Sequence, residues 1–260
     1  GFSLGDDVAV NTNNESYVSW NWKANGGTTV TNEAGSIDST VQANTTAGFS
    51  IVLYTGSESN ATVGHGLGGV PDMLIWKKRN GVNDWIVYHS GNTAAPATDH
   101  LHLNNTNATN DQAVMFQDTL PTSTVFSIGT DDDVNDAKNY VVYCFRSIEG
   151  YSRIGTYEGT DTAPPGGAFV YLGFRPKYIL IKNVDHGFEW LVYDTTRTTI
   201  NVTSDWSRPN TNEVDYAATT DAIDVLSNGF KIRSDWTRVN YQSIIYMAFA
   251  EQPFKYSNAR

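Results

Sequence analysis

Leu67-Gly68-Gly69-Val70-Pro71-Asp72-Met73-Leu74-Ile75-Trp76-Lys77 is answered, at a spacing of about 104 residues, by Leu172-Gly173-Phe174-Arg175-Pro176-Lys177-Tyr178-Ile179-Leu180-Ile181-Lys182. Each copy opens on a glycine-containing turn, passes a proline and runs into a segment that is apolar at odd and even positions alike. A strand with only one buried face alternates apolar and polar residues, so this pattern predicts strands covered on both sides. Pro71 and Pro176 stand just ahead of these strands, where a missing N–H removes no ladder bond.

The match extends in both directions. Gly48 to Gly56 is echoed by Tyr151 to Gly159, Trp85-Ile86-Val87-Tyr88 by Trp190-Leu191-Val192-Tyr193, Asp118-Thr119-Leu120 by Asp224-Val225-Leu226, and Phe126-Ser127-Ile128 by Phe230-Lys231-Ile232. Blocks repeated in one order identify an internal duplication. Asn80-Gly81, Asp185-His186-Gly187 and Asn228-Gly229 supply turn chemistry between strands. A helical period is nowhere sustained, and the best short helix falls around Asp221 to Leu226. The sequence therefore predicts an all-β chain of two tandem sandwich or jelly-roll-like units, residues 48–149 and 150–260. Residues 24–47, rich in Gly, Thr, Ser and Asn, read as an extended connector. Gly1-Phe2-Ser3-Leu4 and Tyr17 to Trp22 resemble the end of the second copy, so residues 1–23 read as the closing hairpin of a preceding unit. Without an initiator Met or a signal-peptide pattern, the chain reads as a segment of something longer.

Composition narrows the function. With 40% hydrophobic and 17% charged residues the chain can build a core and is not of disordered type. A net charge of -11, with its basic residues scattered, argues against nucleic acid and anionic membranes. Apolar runs such as Tyr140 to Phe145 and Ile244 to Ala250 have strand length, which predicts no membrane insertion. The single cysteine, Cys144, lies within one of these runs and reads as a small buried hydrophobe.

Candidate chemistry is sparse, and no cofactor is expected. Gly64-His65-Gly66-Leu67-Gly68-Gly69 is followed by a strand and not a helix, so it is a turn and not a phosphate cradle. Asp131-Asp132-Asp133-Val134-Asn135-Asp136 could offer calcium several oxygens, notably from Asp131, Asp133 and Asn135, but it lacks the glycine and terminal glutamate of an EF-hand loop. A solvated acidic hairpin tip is the simpler expectation. Ser204-Asp205-Trp206-Ser207-Arg208 and Ser234-Asp235-Trp236-Thr237-Arg238 repeat a tryptophan between an acid and an arginine. An indole face can stack on a pyranose while its polar neighbours bind hydroxyls, so Asp205, Trp206, Arg208, Asp235, Trp236 and Arg238 form the candidate glycan site. The competing expectation is that both indoles close a core edge. The recurring acids Asp84 with Glu189 and Asp118 with Asp224 sit beside framework aromatics in both copies. That predicts turn and cap roles instead of the opposed carboxylate pair of a glycosidase, and hence no enzyme.

The blocks Thr62 to Gly68, Pro71-Asp72-Met73, Tyr143-Cys144-Phe145, Gly150-Tyr151-Ser152, Gly173-Phe174-Arg175-Pro176, Leu226 to Lys231 and Tyr246 to Glu251, with Trp20 to Ala24 and Asn258-Ala259-Arg260, resemble a domain of unknown function. That domain recurs in tail-fibre and other structural proteins of tailed bacteriophages, marine ones especially, often behind a lectin-like module. The resemblance spans Phe2 to Arg260 and carries no binding residues. It implies assembly in the bacterial host cytoplasm, a place on the virion surface among other virion proteins, and attachment to host surface polysaccharide. Architecture without a ligand, as in a capsid-decorating protein, and a polysaccharide depolymerase are the alternatives. A homo-oligomer, a trimer foremost, would cover the second apolar faces of the strands.

Overall fold

The computed structural model describes residues 1–163, 166–217 and 223–253. It is all-β, and its repeats are two small sandwiches packed back to back. In the first, β1 (Val30–Asn32), β2 (Ser39–Asn44), β3 (Phe49–Thr55), β4 (Ala61–Gly64), β5 (Met73–Lys78), β6 (Ile86–His89), β7 (Asp99–His102), β8 (Asn110–Asp111), β9 (Val125–Ile128) and β10 (Asn139–Phe145) follow in order. In the second come β11 (Ser152–Glu158), β12 (Phe169–Tyr171), β13 (Pro176–Asn183), β14 (Leu191–Asp194), β15 (Asp205–Ser207), β16 (Tyr216–Ala217), β17 (Ile223–Leu226), β18 (Gly229–Ile232) and β19 (Ser243–Ala250).

The duplication extends to the strand order of the main sheets. The first main sheet runs β1-β2-β3-β10-β5-β6-β7-β8 and the second β11-β19-β13-β14-β15-β16, so from β3 and β11 onward the orders coincide. A small outer sheet covers each, β4-β9 on one side and β12-β18-β17 on the other. Among the described residues no sheet mixes strands of the two repeats, the last strand of one ending at Phe145 and the first of the other starting at Ser152.

Strand alternation now explains the two-sided apolar pattern. Leu74 and Trp76 of β5 enter the core beneath β4-β9, whereas Met73 and Ile75 enter a central core between the two main sheets. In β13, Ile179 and Ile181 point to the outer core and Tyr178 and Leu180 to the central one. β10 and β19 divide likewise, with Tyr140, Val142 and Cys144 or Ile244, Tyr246 and Ala248 outward and Phe145 or Met247 and Phe249 inward. The molecule is thus four layers of sheet around three cores. The apolar faces that suggested a symmetric oligomer are covered by the sister repeat of the same chain.

Three expectations need correction. Residues 1–23 form no hairpin: they hold no strand, only a helical turn α1 (Val8–Asn11), with the Asp7 side chain accepting from the Ala9 N–H at 2.8 Å. Beyond it, Trp20 and Trp22 pack edge-on against Tyr178 at 5.3 and 5.4 Å, capping the end of the central core. Residues 24–47 are no mere connector, because β1 and β2 extend the first main sheet beyond β3. Around the expected helix, residues 223–226 are strand β17, while Asp221 lies outside the described residues, as do Asn258, Ala259 and Arg260.

Candidate functional site

Three short helices follow the first: α2 (Ala113–Phe116) and α3 (Asp132–Asn135) in the first repeat, and α4 (Thr237–Asn240), which matches α3, in the second. The acidic run is therefore a helical turn and not a hairpin tip. Asp131 caps it, accepting from the Asp133 N–H at 2.9 Å, and the Gln112 amide donates to its other oxygen. Asn135 is buried and faces inward. Its amide donates to Ser59 O at 2.7 Å and Gly129 O at 2.6 Å, and its Oδ1 accepts from the Ser57 N–H at 2.7 Å. Asn240 does the same in the second repeat, donating to Thr162 O and Ser234 O and accepting from the Thr160 N–H. A residue fully used in both copies is a staple between loops, which removes Asn135 from the candidate calcium ligands. Asp131, Asp132 and Asp133 remain close together, and the pKa of Asp133 is raised by burial and by its two acidic neighbours. Proximity of acids alone does not define a metal site.

The two Ser-Asp-Trp segments come together, but not as a sugar platform. Trp206 lies in β15 opposite Tyr193 and is 2% exposed, a member of the outer core. Trp236 precedes α4 and is half-buried, with its ring 5.8 Å from Trp206. The Arg238 guanidinium sits 3.7 Å from the Trp236 centroid, a cation–π stack over a face a sugar would need. Arg238 reaches Glu189 at 3.0 Å and Arg208 reaches it at 3.7 Å, while Arg208 also pairs with Glu213. Asp205 accepts from the Thr198 hydroxyl at 2.6 Å, and Asp235 is exposed. The core-edge expectation is the one the geometry meets for Trp206. Glu189, the unforeseen hub of this cluster, carries a sequence signal only as a recurring acid.

Registers show what stands at these places in the first repeat. Because Val87 pairs with Leu101 and Val192 with Ser207, His100 occupies the place of Trp206 and His102 that of Arg208. The shared arginine hub is replaced there by Asp84 beside His102 at 3.6 Å, with the Asn104 amide donating to Asp84 at 2.8 Å. His100 is buried, which with the nearby His102 pushes its pKa down to about 4. Asp224 pairs with Arg233 at 3.3 Å, whereas its counterpart Asp118 is exposed with left-handed backbone.

Other sequence candidates resolve as structure. His65 is buried, its Nδ1 accepting from the Leu67 N–H at 3.2 Å and its Nε2 3.2 Å from Thr122 O, so the Nε2–H tautomer staples the glycine turn. Gly66 and Gly68 take φ of +67° and +68°, which explains glycine there. Cys144 is buried and its thiol is pushed up to about 12, far from a reactive thiolate.

The surface does hold a cleft, and it belongs to a different tryptophan. Trp85, Leu103, Asn104 and Pro209 line a depression of about 230 Å³ where the two repeats meet. Trp85 is half-buried, nearly parallel to Tyr143 with an interplanar angle of 12°, and the Lys77 ammonium lies 5.7 Å from its ring centroid. Asn104 Oδ1 accepts from the Trp85 N–H at 2.8 Å, holding indole, amide and Asp84 in one arrangement.

Fold and surface together define a duplicated β-sandwich with a shallow aromatic cleft and, among the described residues, no helix long and apolar enough to cross a membrane. The chain belongs to the family described as Domain of unknown function (DUF7483), whose model matches residues 1–253. No curated protein and no solved structure matches it.

Proposed function

We propose that the chain is a non-enzymatic structural module of a tailed-phage appendage that contributes to attachment to the bacterial surface. The virion setting rests on the sequence resemblance given above. The observation that carries the mechanical part is the central core: Met73, Ile75 and Phe145 of one repeat pack with Leu180, Met247 and Phe249 of the other, so the two repeats form one stiff body. Three of the recurring acids that a hydrolase would oppose across a cleft are engaged otherwise, the fourth being the exposed Asp118. Asp84 is bound to Asn104, Glu189 to two arginines and Asp224 to Arg233. Attachment is then non-covalent and gains from many copies on one particle.

Labelling phage particles that carry this protein with antibody against the chain tests the assignment. Label on the tail appendage, together with slower adsorption to host cells in the presence of the purified chain, is the expected result. Label spread over the capsid without any effect on adsorption replaces it with an architectural role. Release of reducing ends from the host polysaccharide replaces it with a depolymerase.

A further inference from the structure

Lys77 with Trp85 and Lys182 with Trp190 occupy the same positions in the two repeats, yet the two pairs have opposite fates. In the second repeat the pair is closed. The Lys182 ammonium is fully buried and donates to Phe188 O at 2.6 Å, Thr106 O at 3.2 Å and His186 O at 3.3 Å. Trp190 is 1% exposed and its indole donates to His102 O at 2.8 Å. The cover is the 103–109 loop of the first repeat, fastened by the Thr109 N–H donating to Val184 O at 2.9 Å.

The reciprocal cover does not form. The matching loop of the second repeat, residues 208–215, is held against its own repeat by Arg208 pairing with Glu213 and by Asp215 pairing with Arg197 at 2.7 Å. Of this loop, Pro209 lines the depression beside Trp85. Lys77 keeps the bond to its own loop, donating to Asn83 O as Lys182 does to Phe188 O, and among the described residues the Trp85 indole makes no bond to the second repeat. A place that a polar loop fills in one repeat is left open in the other.

We infer that the Trp85 cleft is a saccharide-binding site that takes a single pyranose unit; this rests on the attachment reading and gives it a location. The half-buried indole, with Tyr143 parallel to it and the Lys77 ammonium 5.7 Å from its centroid, offers the ring C–H groups the part of its apolar surface that lines the cleft. Asp84, its side chain 42% exposed, accepts from hydroxyls, and the exposed Asn104 amide lies beside it. At about 230 Å³ the cleft is smaller than the range of roughly 300–1,000 Å³ that holds drug-sized ligands, and its lining is far short of the roughly 800 Å² per partner of a stable protein interface. A sugar unit of a surface polymer fits that scale, with weak single-site binding multiplied by copy number.

Saturation-transfer NMR of the whole chain with methyl gluco-, galacto- and mannopyranosides and with N-acetylglucosamine tests the site. At least one sugar is expected to receive saturation, and both Trp85→Ala and the cleft-filling Pro209→Trp are expected to abolish it. Pro209 is exposed, so the second variant retains the wild-type thermal midpoint and separates loss of the site from loss of fold. Undiminished transfer in Pro209→Trp, or none to any sugar in the wild type, overturns the cleft as a saccharide site. Adsorption of the wild-type chain to host cells, measured in parallel, tells the two proposals apart. Adsorption that survives Pro209→Trp leaves attachment standing without this cleft, and transfer without adsorption leaves the cleft standing without attachment.

Discussion

The two repeats share a strand order and use it differently where they meet. Both present a tryptophan and a lysine toward the junction, but the first repeat lends its 103–109 loop to its neighbour while the second keeps its 208–215 loop at home. Ion pairs decide the difference. Arg197 and Arg208 anchor the second loop through Asp215 and Glu213, whereas in the first repeat His102 stands where Arg208 stands, and the asparagine bound to the tryptophan N–H, Asn104 or Asn210, is common to both. Duplication thus produced a fold with one closed and one open version of the same place. Asymmetry, and not the repeated framework, is where a ligand site can arise.

The sharpest way to break the comparison is to delete each tryptophan in turn. Trp190→Ala removes a fully buried indole from the central core and its bond to His102 O, and a loss of about 3–5 kcal/mol in urea unfolding is expected. Trp85→Ala removes a half-buried ring over a cleft that already admits water, and about 1–2 kcal/mol is expected. Equal losses would mean that the cleft is closed in solution and that the two repeats are equivalent after all.

How much of this was legible in the sequence follows from what a pattern can encode. The duplication and the two-sided strands could be read because alternation reports burial directly. What covers the second face could not: Met73 and Tyr178 look the same whether they meet a sister repeat or another subunit. The Ser-Asp-Trp pair misled for a related reason. Trp206 lies within a strand and Trp236 precedes a helix, so equal tripeptides occupy unequal places. Trp85 was visible only as a framework residue, since its exposure depends on a loop anchored more than a hundred residues away. Calcium was suggested by the density of acids in Asp131 to Asp136, whereas the inward turn of Asn135 depends on a loop distant in sequence, through Ser59 O and the Ser57 N–H.

A second contrast concerns the turn after β6 and β14. His89 and Asp194 hold equivalent places and accept backbone N–H bonds, from Gly91 at 3.0 Å and from Thr196 at 2.8 Å. Asp194 is neutralised by Arg197, whereas His89 is buried without a counter-ion, its Nε2 3.4 Å from Tyr246 O across the junction. Burial therefore lowers its pKa to about 4. A histidine depressed in the folded state binds its proton first in the unfolded chain, so stability is full above pH about 6.5 and falls as pH drops toward 4. The loss expected from this group is on the order of 3 kcal/mol. His89→Asn, which can still accept from Gly91, should flatten the acid limb of a denaturation series between those values, leaving the part due to His100. An unchanged limb would show that the junction opens before His89 titrates.

Asn135 and Asn240 supply the converse case, a pair in which the repeats should be indistinguishable. Each is buried and makes three hydrogen bonds to backbone groups, tying the loop after β3 or β11 to the turn before α3 or α4. Replacing either by alanine leaves buried carbonyls and an N–H without partners, at a cost of about 2 kcal/mol. Urea unfolding of Asn135→Ala and Asn240→Ala should therefore give matching losses, and added calcium should change neither. If calcium protects the wild type and Asn135→Ala alone abolishes that protection, Asn135 is a ligand after all and the acidic turn differs from its copy in chemistry as well as charge. Matching losses instead separate the molecule into a framework, where both copies do the same work, and a junction, where only one of them is closed.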